Sequence, residues 1–329
     1  MTVRFRPKAG IAVFASGALW HNNGCVRSPA SLVLIACVAL AVCAEDSAVP
    51  VPHRIVAIGD IHADIGAARA AFQLAGATND HDEWIGGDLV VVQLGDIIGR
   101  SYEDRDVLDF ILDLRKKARA AGGQLHSLIG NHEVFGARLR LDYVAADAYS
   151  AFDDIPGLVL DDPRLAHLAA DQRARGAALM AGGHYAKQLA EFSTVLRLGD
   201  TIYVHGGVTP HWANYGVNRI NKEVSQWFAG SIVEPLSAQG VDAGNFDDIV
   251  IMSRHFSDDV DEEDCELLEE SLAILGAKRM VVAHTVQESI TARCDEQVWA
   301  IDVGMSRFYG GQIQVLEIID DEKLTIIRE

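Results

Sequence analysis

Three times between Arg54 and Glu133 the chain repeats one device: a short apolar strand, a glycine, then Asp or Asn. In Asp88–Arg100, DLVVVQLGDIIGR, a β-branched run is stopped by Gly95 and followed at once by Asp96. Such a run reads as a strand buried on both faces. Its carboxylate then falls just past the C-terminal end, where open α/β sheets bind ligands. Arg54–Ile58 runs into Gly59-Asp60-Ile61-His62 and Gln124–Ile129 into Gly130-Asn131-His132-Glu133 in the same way. One sheet edge would thus receive Asp60, His62, Asp96, Asn131 and His132, a metal site with a spare histidine.

The segments between and after these strands fit an α/β domain of two sheets. Ile65–Ala75 is alanine-rich and helical in character, and Asp104–Ala121 carries an apolar face with acids first and bases last, as the helix dipole favours. The latter, lying between two strands, makes a β-α-β unit with parallel pairing. Residues 137–192 read as a mostly helical insertion, broken at Pro156-Gly157 and Gly182-Gly183, that would roof the site. Two strands flanking Gly199-Asp200 form a hairpin whose second arm ends in His205. Lys278–Ala283 is a further buried strand ending in His284, and Gln297–Val303 with Gln312–Ile319 would complete a second sheet.

Carboxylate and amide oxygens mixed with imidazoles suit Mn, Fe or Zn better than Ca or a thiolate-selected metal. Six ligands exceed the needs of one catalytic ion, and sharing one Asp between two ions is the economical arrangement. Two ions roughly 3.5–4 Å apart activate water and polarise a phosphoryl oxygen, the template for phosphoester hydrolysis.

The motifs Gly-Asp-x-His at 59–62, Gly-Asp at 95–96, Gly-Asn-His-Glu at 130–133, His-Gly-Gly at 205–207 and Ala-His-Thr at 283–285 resemble those of the calcineurin-like metallophosphoesterases. Within them, WIGGDLVVVQLGD, GDTIYVHGGVTP, INKEVSQW, VVAHTVQE and AIDVGMSRFYGG are most similar to the Shewanella-like protein phosphatases, a likeness running from about Arg54 to Ile319. The resemblance implies a four-layer α/β/β/α sandwich with two mixed β-sheets. It also implies two divalent or trivalent ions (Mn, Fe or Zn), one held by Asp60, His62 and Asp96, the other by Asp96, Asn131, His205 and His284, with a bridging hydroxide. His132 would protonate the leaving oxygen, Arg100 would clamp the phosphate, and Arg254 is a candidate second phosphate arginine. The implied substrate is a phosphoprotein, Ser/Thr or Tyr. The alternative is a small phosphoester or dinucleoside polyphosphate.

Two departures bear on that choice. Protein phosphatases of the superfamily read Gly-Asp-x-x-Asp-Arg-Gly, the second Asp orienting the catalytic histidine; here Gly99 stands in its place and Ser101 follows the arginine. Ala63 stands where the first motif has Gly. Dinucleoside-tetraphosphate hydrolases also lack that Asp. If its loss has weakened His132, Gly99→Asp should speed esters with poor leaving groups. No gain would mean that another carboxylate, with Asp64 the candidate, already holds the ring or that the loop cannot accept the change.

Charge excludes one class of partner: 28 Lys+Arg against 47 Asp+Glu, a net of −19, leaves no basic stripe for nucleic acid. Residues 1–44 hold Arg4, Arg6, Lys8 and Arg27, no acid, and the fourteen-residue apolar run Ser31–Ala44. That run is short for a bilayer core of about 30 Å but suits a signal-peptide core, so export to the periplasm or medium is expected. Lipidation at Cys37 and an uncleaved membrane anchor are the alternatives, and 45–53 is a linker to a single catalytic domain over 54–329. Outside the leader only Cys265 and Cys294 remain, a pair that fits one disulfide or two buried thiols. Eight other histidines match no motif, and the acidic run Ser257–Glu270 lacks the spacing and central Gly of an EF-hand.

Overall fold

The computed structural model describes residues 52–233, 235 and 249–329, so the leader and most of the linker lie outside the described residues. Among the described residues, ten strands form two five-stranded sheets. In the first, β1 (Arg54–Ile58), β2 (Val90–Gln93) and β3 (Gln124–Ser127) run parallel. β9 (Gln314–Ile319) adds antiparallel to β1, and β10 (Lys323–Arg328) follows it at the edge. In the second, β5 (Thr201–Val204), β6 (Arg279–Val282) and β8 (Val298–Ala300) are parallel, with antiparallel β4 (Val195–Leu198) and β7 (Thr291–Arg293) at the edges. β9 therefore belongs to the first sheet, not to the second as expected from sequence. Period-two burial identifies a strand but does not say which neighbour it pairs with. The sequence reading did not mark β10. Its hairpin with β9 turns through Asp320, Asp321 and Glu322, the first two left-handed (φ 53° and 55°), and the Glu322 N–H donates to the Ile319 carbonyl (3.0 Å).

Alternation on the second sheet defines the layers. Tyr203, Val281 and Trp299 join the large core shared with Ile55, Val91 and Leu316 of the first sheet. Their neighbours Ile202, Val204, Met280, Val282, Val298 and Ala300 instead pack against Trp212, Ile220, Leu268 and Leu272. Those four come from α6 (Pro210–Tyr215), α7 (Val217–Phe228) and α8 (Glu262–Leu275). The first sheet is covered by α1 (Ile65–Leu74) and α2 (Asp104–Ala120), which bury Ala68, Ala71, Phe72, Leu108 and Ile111. The result is helix, sheet, sheet, helix.

After α3 (Asn131–Ala137), the segment to Phe192 is less helical than its pattern suggested. Four single 3₁₀ turns precede two short helices, α4 (Arg173–Leu179) and α5 (His184–Leu189). The acidic run opens α8, with Asp261 and Asp264 forming its capping box. Cys265 on α8 and Cys294 after β7 are joined in a disulfide, with Cα atoms 5.3 Å apart.

Candidate metal centre

Each candidate ligand leaves the C-terminal end of a parallel strand: Asp60 follows β1, Asp96 β2, Asn131 β3, His205 β5 and His284 β6. Both sheets thereby feed one point. The turns after β1 and β2 are laced together by the N–H groups of His62 and Ala63, which donate to the carbonyls of Asp96 and Ile97 (both 2.8 Å). His62, Asp96, Arg100 and His284 all sit at positive φ (51°, 51°, 71° and 67°). For side-chain-bearing residues this strain is of the kind concentrated at functional sites. Gly130 is required where it stands, because a Cβ there would lie 2.3 Å from Asp96 Oδ1, the oxygen that accepts the His132 N–H (2.9 Å).

Asp96 is the shared member. His62, Asp96 and His132 each offer a ligand atom within 4.8 Å of the others, and so do Asp96, His205 and His284. His62 Nε2 lies 3.6 Å from Asp60 Oδ2 and 3.7 Å from Asp96 Oδ2. His205 Nε2 lies 3.4 Å from Asp96 Oδ1 and 2.9 Å from Asn131 Oδ1. Asp60, His62, Asp96, Asn131, His132 and His205 are all at least 95% buried, and His284 is half-buried.

The residues fit metal ions on three counts. His205 Nδ1 stands 2.8 Å from the Leu94 carbonyl, so in the neutral ring Nδ1 is assigned the proton and Nε2 the lone pair. That lone pair faces two further acceptors, Asn131 Oδ1 and Asp96 Oδ1, an arrangement that a cation, either a metal ion or a second ring proton, would relieve. Second, Asp60 Oδ1, His62 Nδ1, His284 Nε2 and Asp302 Oδ2 are buried without a hydrogen-bond partner. Third, protein charge does not balance the site. Burial, then Asp302 and Asp96, push Asp60 well above the usual carboxylate range. Burial also holds His62 down to about 4. Oxygen and imidazole donors of this kind are those of Mn, Fe or Zn sites.

A cleft of about 100 Å³ opens on this cluster, lined by His62, Asp96, Arg100, Asn131, His132, Arg254 and His284 among others. All nine residues picked out from sequence come together here, Asp60 and His205 lying behind the first layer. Arg100 projects between aromatic rings, its guanidinium carbon 4.5 Å from the Tyr143 centroid, 5.4 Å from Phe308 and 5.9 Å from Tyr309, and its Nε has no partner. Arg254 donates to Thr285 Oγ1 (3.0 Å). A larger cavity of about 530 Å³, bounded by Pro210, His211, His255 and the acids at the start of α8, contains none of the nine.

His132 is held by packing. Its ring contacts His62, Phe135 and Tyr143 (centroids 4.7, 5.5 and 5.7 Å), and burial, opposed by Asp96, lowers it to about 3. Among the described residues the one carboxylate within 4 Å is Asp96, 3.9 Å from Nε2. Asp64, the expected substitute, is engaged elsewhere: it caps α1 through the Ala67 N–H and takes three hydrogen bonds from Arg307.

Two acids were missed by the sequence reading. Glu133 accepts from the N–H groups of Gly130, Asp96, Ile97 and Ile98 (2.8–3.2 Å), locking the Asp96 turn to α3. Asp302 follows β8 as the ligands follow their strands, accepts the Gly304 N–H (2.9 Å) and is 1% exposed beside Asp60. A predicted strand drawn out to Val303 hid its position at a strand end.

Residues 53–288 match the family described as calcineurin-like phosphoesterase. The chain is 35% identical to Shewanella-like protein phosphatase 2 of Arabidopsis thaliana, covering 84% of this chain and 78% of the relative. It is 27% identical to Shewanella-like protein phosphatase 1 of Plasmodium berghei, covering 84% and 74%. In fold it is similar to a cold-active protein tyrosine phosphatase (TM-score 0.63, 21% identity, 84% and 80% covered); a second solved structure, of the cold-active protein-tyrosine phosphatase of a psychrophilic Shewanella species, gives a TM-score of 0.61 at 22% identity, with the same coverage. The chain belongs to the calcineurin-like phosphoesterase family, and it is a metal-dependent hydrolase of phosphoric esters.

Proposed function

We propose that this phosphoesterase is a dinuclear protein phosphatase. The observation that carries the reading is the central place of Asp96, whose Oδ2 lies 3.7 Å from His62 Nε2, itself 3.6 Å from Asp60, and whose Oδ1 lies 3.4 Å from His205 Nε2, beneath one cleft entered by two arginines. The naming of both Shewanella-like relatives as protein phosphatases supports the substrate class. Asp60, His62 and Asp96 would hold one ion and Asp96, Asn131, His205 and His284 the other, drawn from Mn, Fe or Zn. Divalent ions bound there would polarise the phosphoryl oxygens and make water nucleophilic near neutral pH.

The remaining work falls to the chain's own groups. Arg100, aimed by its aromatic neighbours, and Arg254 grip phosphoryl oxygens through charge-assisted hydrogen bonds. As the water oxygen bonds to phosphorus and the ester bond breaks, His132, protonated once the charge of the bound phosphate dianion offsets the burial that lowers the free ring, gives its Nε2 proton to the leaving oxygen. The test is metal-free protein with Mn, Fe or Zn added back, assayed on phosphoserine, phosphothreonine and phosphotyrosine peptides beside a nucleotide panel. Turnover of phosphopeptides is expected; turnover confined to dinucleoside polyphosphates would assign the alternative substrate, which Gly99 favours.

Export is part of the proposal. The basic, acid-free leader and the Cys265–Cys294 disulfide both fit an oxidising compartment. No helix among the described residues is long and apolar enough to cross a membrane. The secreted product should begin near Glu45; an intact Met1 would contradict cleavage.

A further inference from the structure

Every backbone N–H from Asp96 to Ser101 has an acceptor. Glu133 takes those of Asp96, Ile97 and Ile98, the Tyr143 carbonyl takes that of Arg100 (2.7 Å), and the carbonyls of His62 and Gly99 take that of Ser101. Between them, the Gly99 N–H donates to Asp104 Oδ1 (2.7 Å). The other oxygen of Asp104 accepts from Arg175 Nε (2.8 Å), and the pair is 0% and 1% exposed. Arg175 comes from α4, inside the 137–192 segment.

A buried ion pair is poor evidence of a stability device, because an apolar pair of similar volume does as well or better. What the apolar pair lacks is an acceptor for Gly99. That glycine is the seat of the His132 ring and the residue before Arg100, so its height sets both. We propose that Asp104 and Arg175 are positioning residues: Arg175 orients Asp104, and Asp104, through the Gly99 N–H, holds the turn that seats His132 and aims Arg100. The α4 segment thereby reaches the phosphate site without touching substrate. The inference rests on the roles given to Arg100 and His132 under the proposed function.

Two double variants isolate the acceptor, since both remove both charges: Asp104→Leu/Arg175→Met discards the oxygen, and Asp104→Asn/Arg175→Met keeps it. In the full chain loaded with metal, both should remain folded with wild-type metal content, the leucine variant melting lower than the asparagine variant because its Gly99 N–H is left unpaired. The leucine variant should bind inorganic phosphate about 10-fold more weakly, judged by product inhibition, and lose on the order of 10²-fold in kcat on phosphoserine with a smaller loss on aryl phosphate. The asparagine variant, which keeps the acceptor but loses the arginine that orients it, should fall between wild type and the leucine variant on both measures. In an Arg100→Ala background the leucine change should no longer weaken phosphate binding. Equal behaviour of the two double variants, or unfolding of the leucine variant, would assign the pair to structure alone and overturn the proposal. Wild-type phosphate affinity in Arg100→Ala itself would instead remove the clamp on which the inference stands.

Discussion

Gly99 and His132 are packed so closely that a Cβ on the glycine would stand 2.1 Å from His132 Nδ1. The glycine is also left-handed, at φ +81°. The carboxylate that orients the histidine in the protein phosphatase motif could stand at this position only if the ring moved, because its own Cβ would occupy the space of the ring. The loop replaces a hydrogen-bonded histidine with one seated against bare backbone. Of the outcomes weighed from sequence for Gly99→Asp, this contact favours the one in which the loop does not accept the change. Both Gly99→Ala and Gly99→Asp should lose on the order of 10²-fold in kcat/KM on a phosphoserine peptide, as a displaced catalytic group does. They should also lose about 1–3 kcal/mol in urea unfolding. Faster turnover of phosphoserine by Gly99→Asp would show that the ring can yield and that a carboxylate was missing.

His132→Ala separates acid from structural roles by leaving group. Proton donation contributes roughly 10²–10⁴-fold where the departing oxygen is a poor leaving group and little where it leaves unaided. Phosphoserine hydrolysis should fall by that order while activated aryl phosphates fall far less. Equal losses on both would leave His132 a packing residue.

Asp302 carries a prediction about metal retention. Its Oδ2 has no hydrogen-bond partner among the described residues, and it lies against Asp60 at the end of β8. Outer partners of ligands typically contribute 10–100-fold in metal affinity. Asp302→Ala should lose metal to a chelator at 10–100-fold lower concentration than wild type, read by elemental analysis after dialysis. An unchanged chelator midpoint would exclude it from the metal centre.

The candidate cluster was legible because its residues announce themselves locally, as an apolar run and then a polar residue at a strand end, with a small residue between them in every case but His205. That signal placed Asp60, Asp96, Asn131, His205 and His284 correctly from both sheets. Other features depend on contacts the sequence does not encode locally. Tyr143 and Phe308 reach Arg100 from segments far apart in the chain, and β9 chooses β1 over the second sheet by packing. Arg175 is hidden for a related reason: an arginine in the polar stretch DQRARG reads as solvated, and only its meeting with Asp104 on α2 makes it interior.

The central claim is that two ions share Asp96, and metal content measured alongside activity in wild type and Asp96→Asn tests it most directly. A neutral amide bridges two cations poorly. Wild type should carry two equivalents per chain and lose phosphopeptide hydrolysis when they are stripped. Asp96→Asn should retain about one equivalent and little activity. Two equivalents with normal turnover in Asp96→Asn, or full activity of the stripped wild-type protein, would contradict the account.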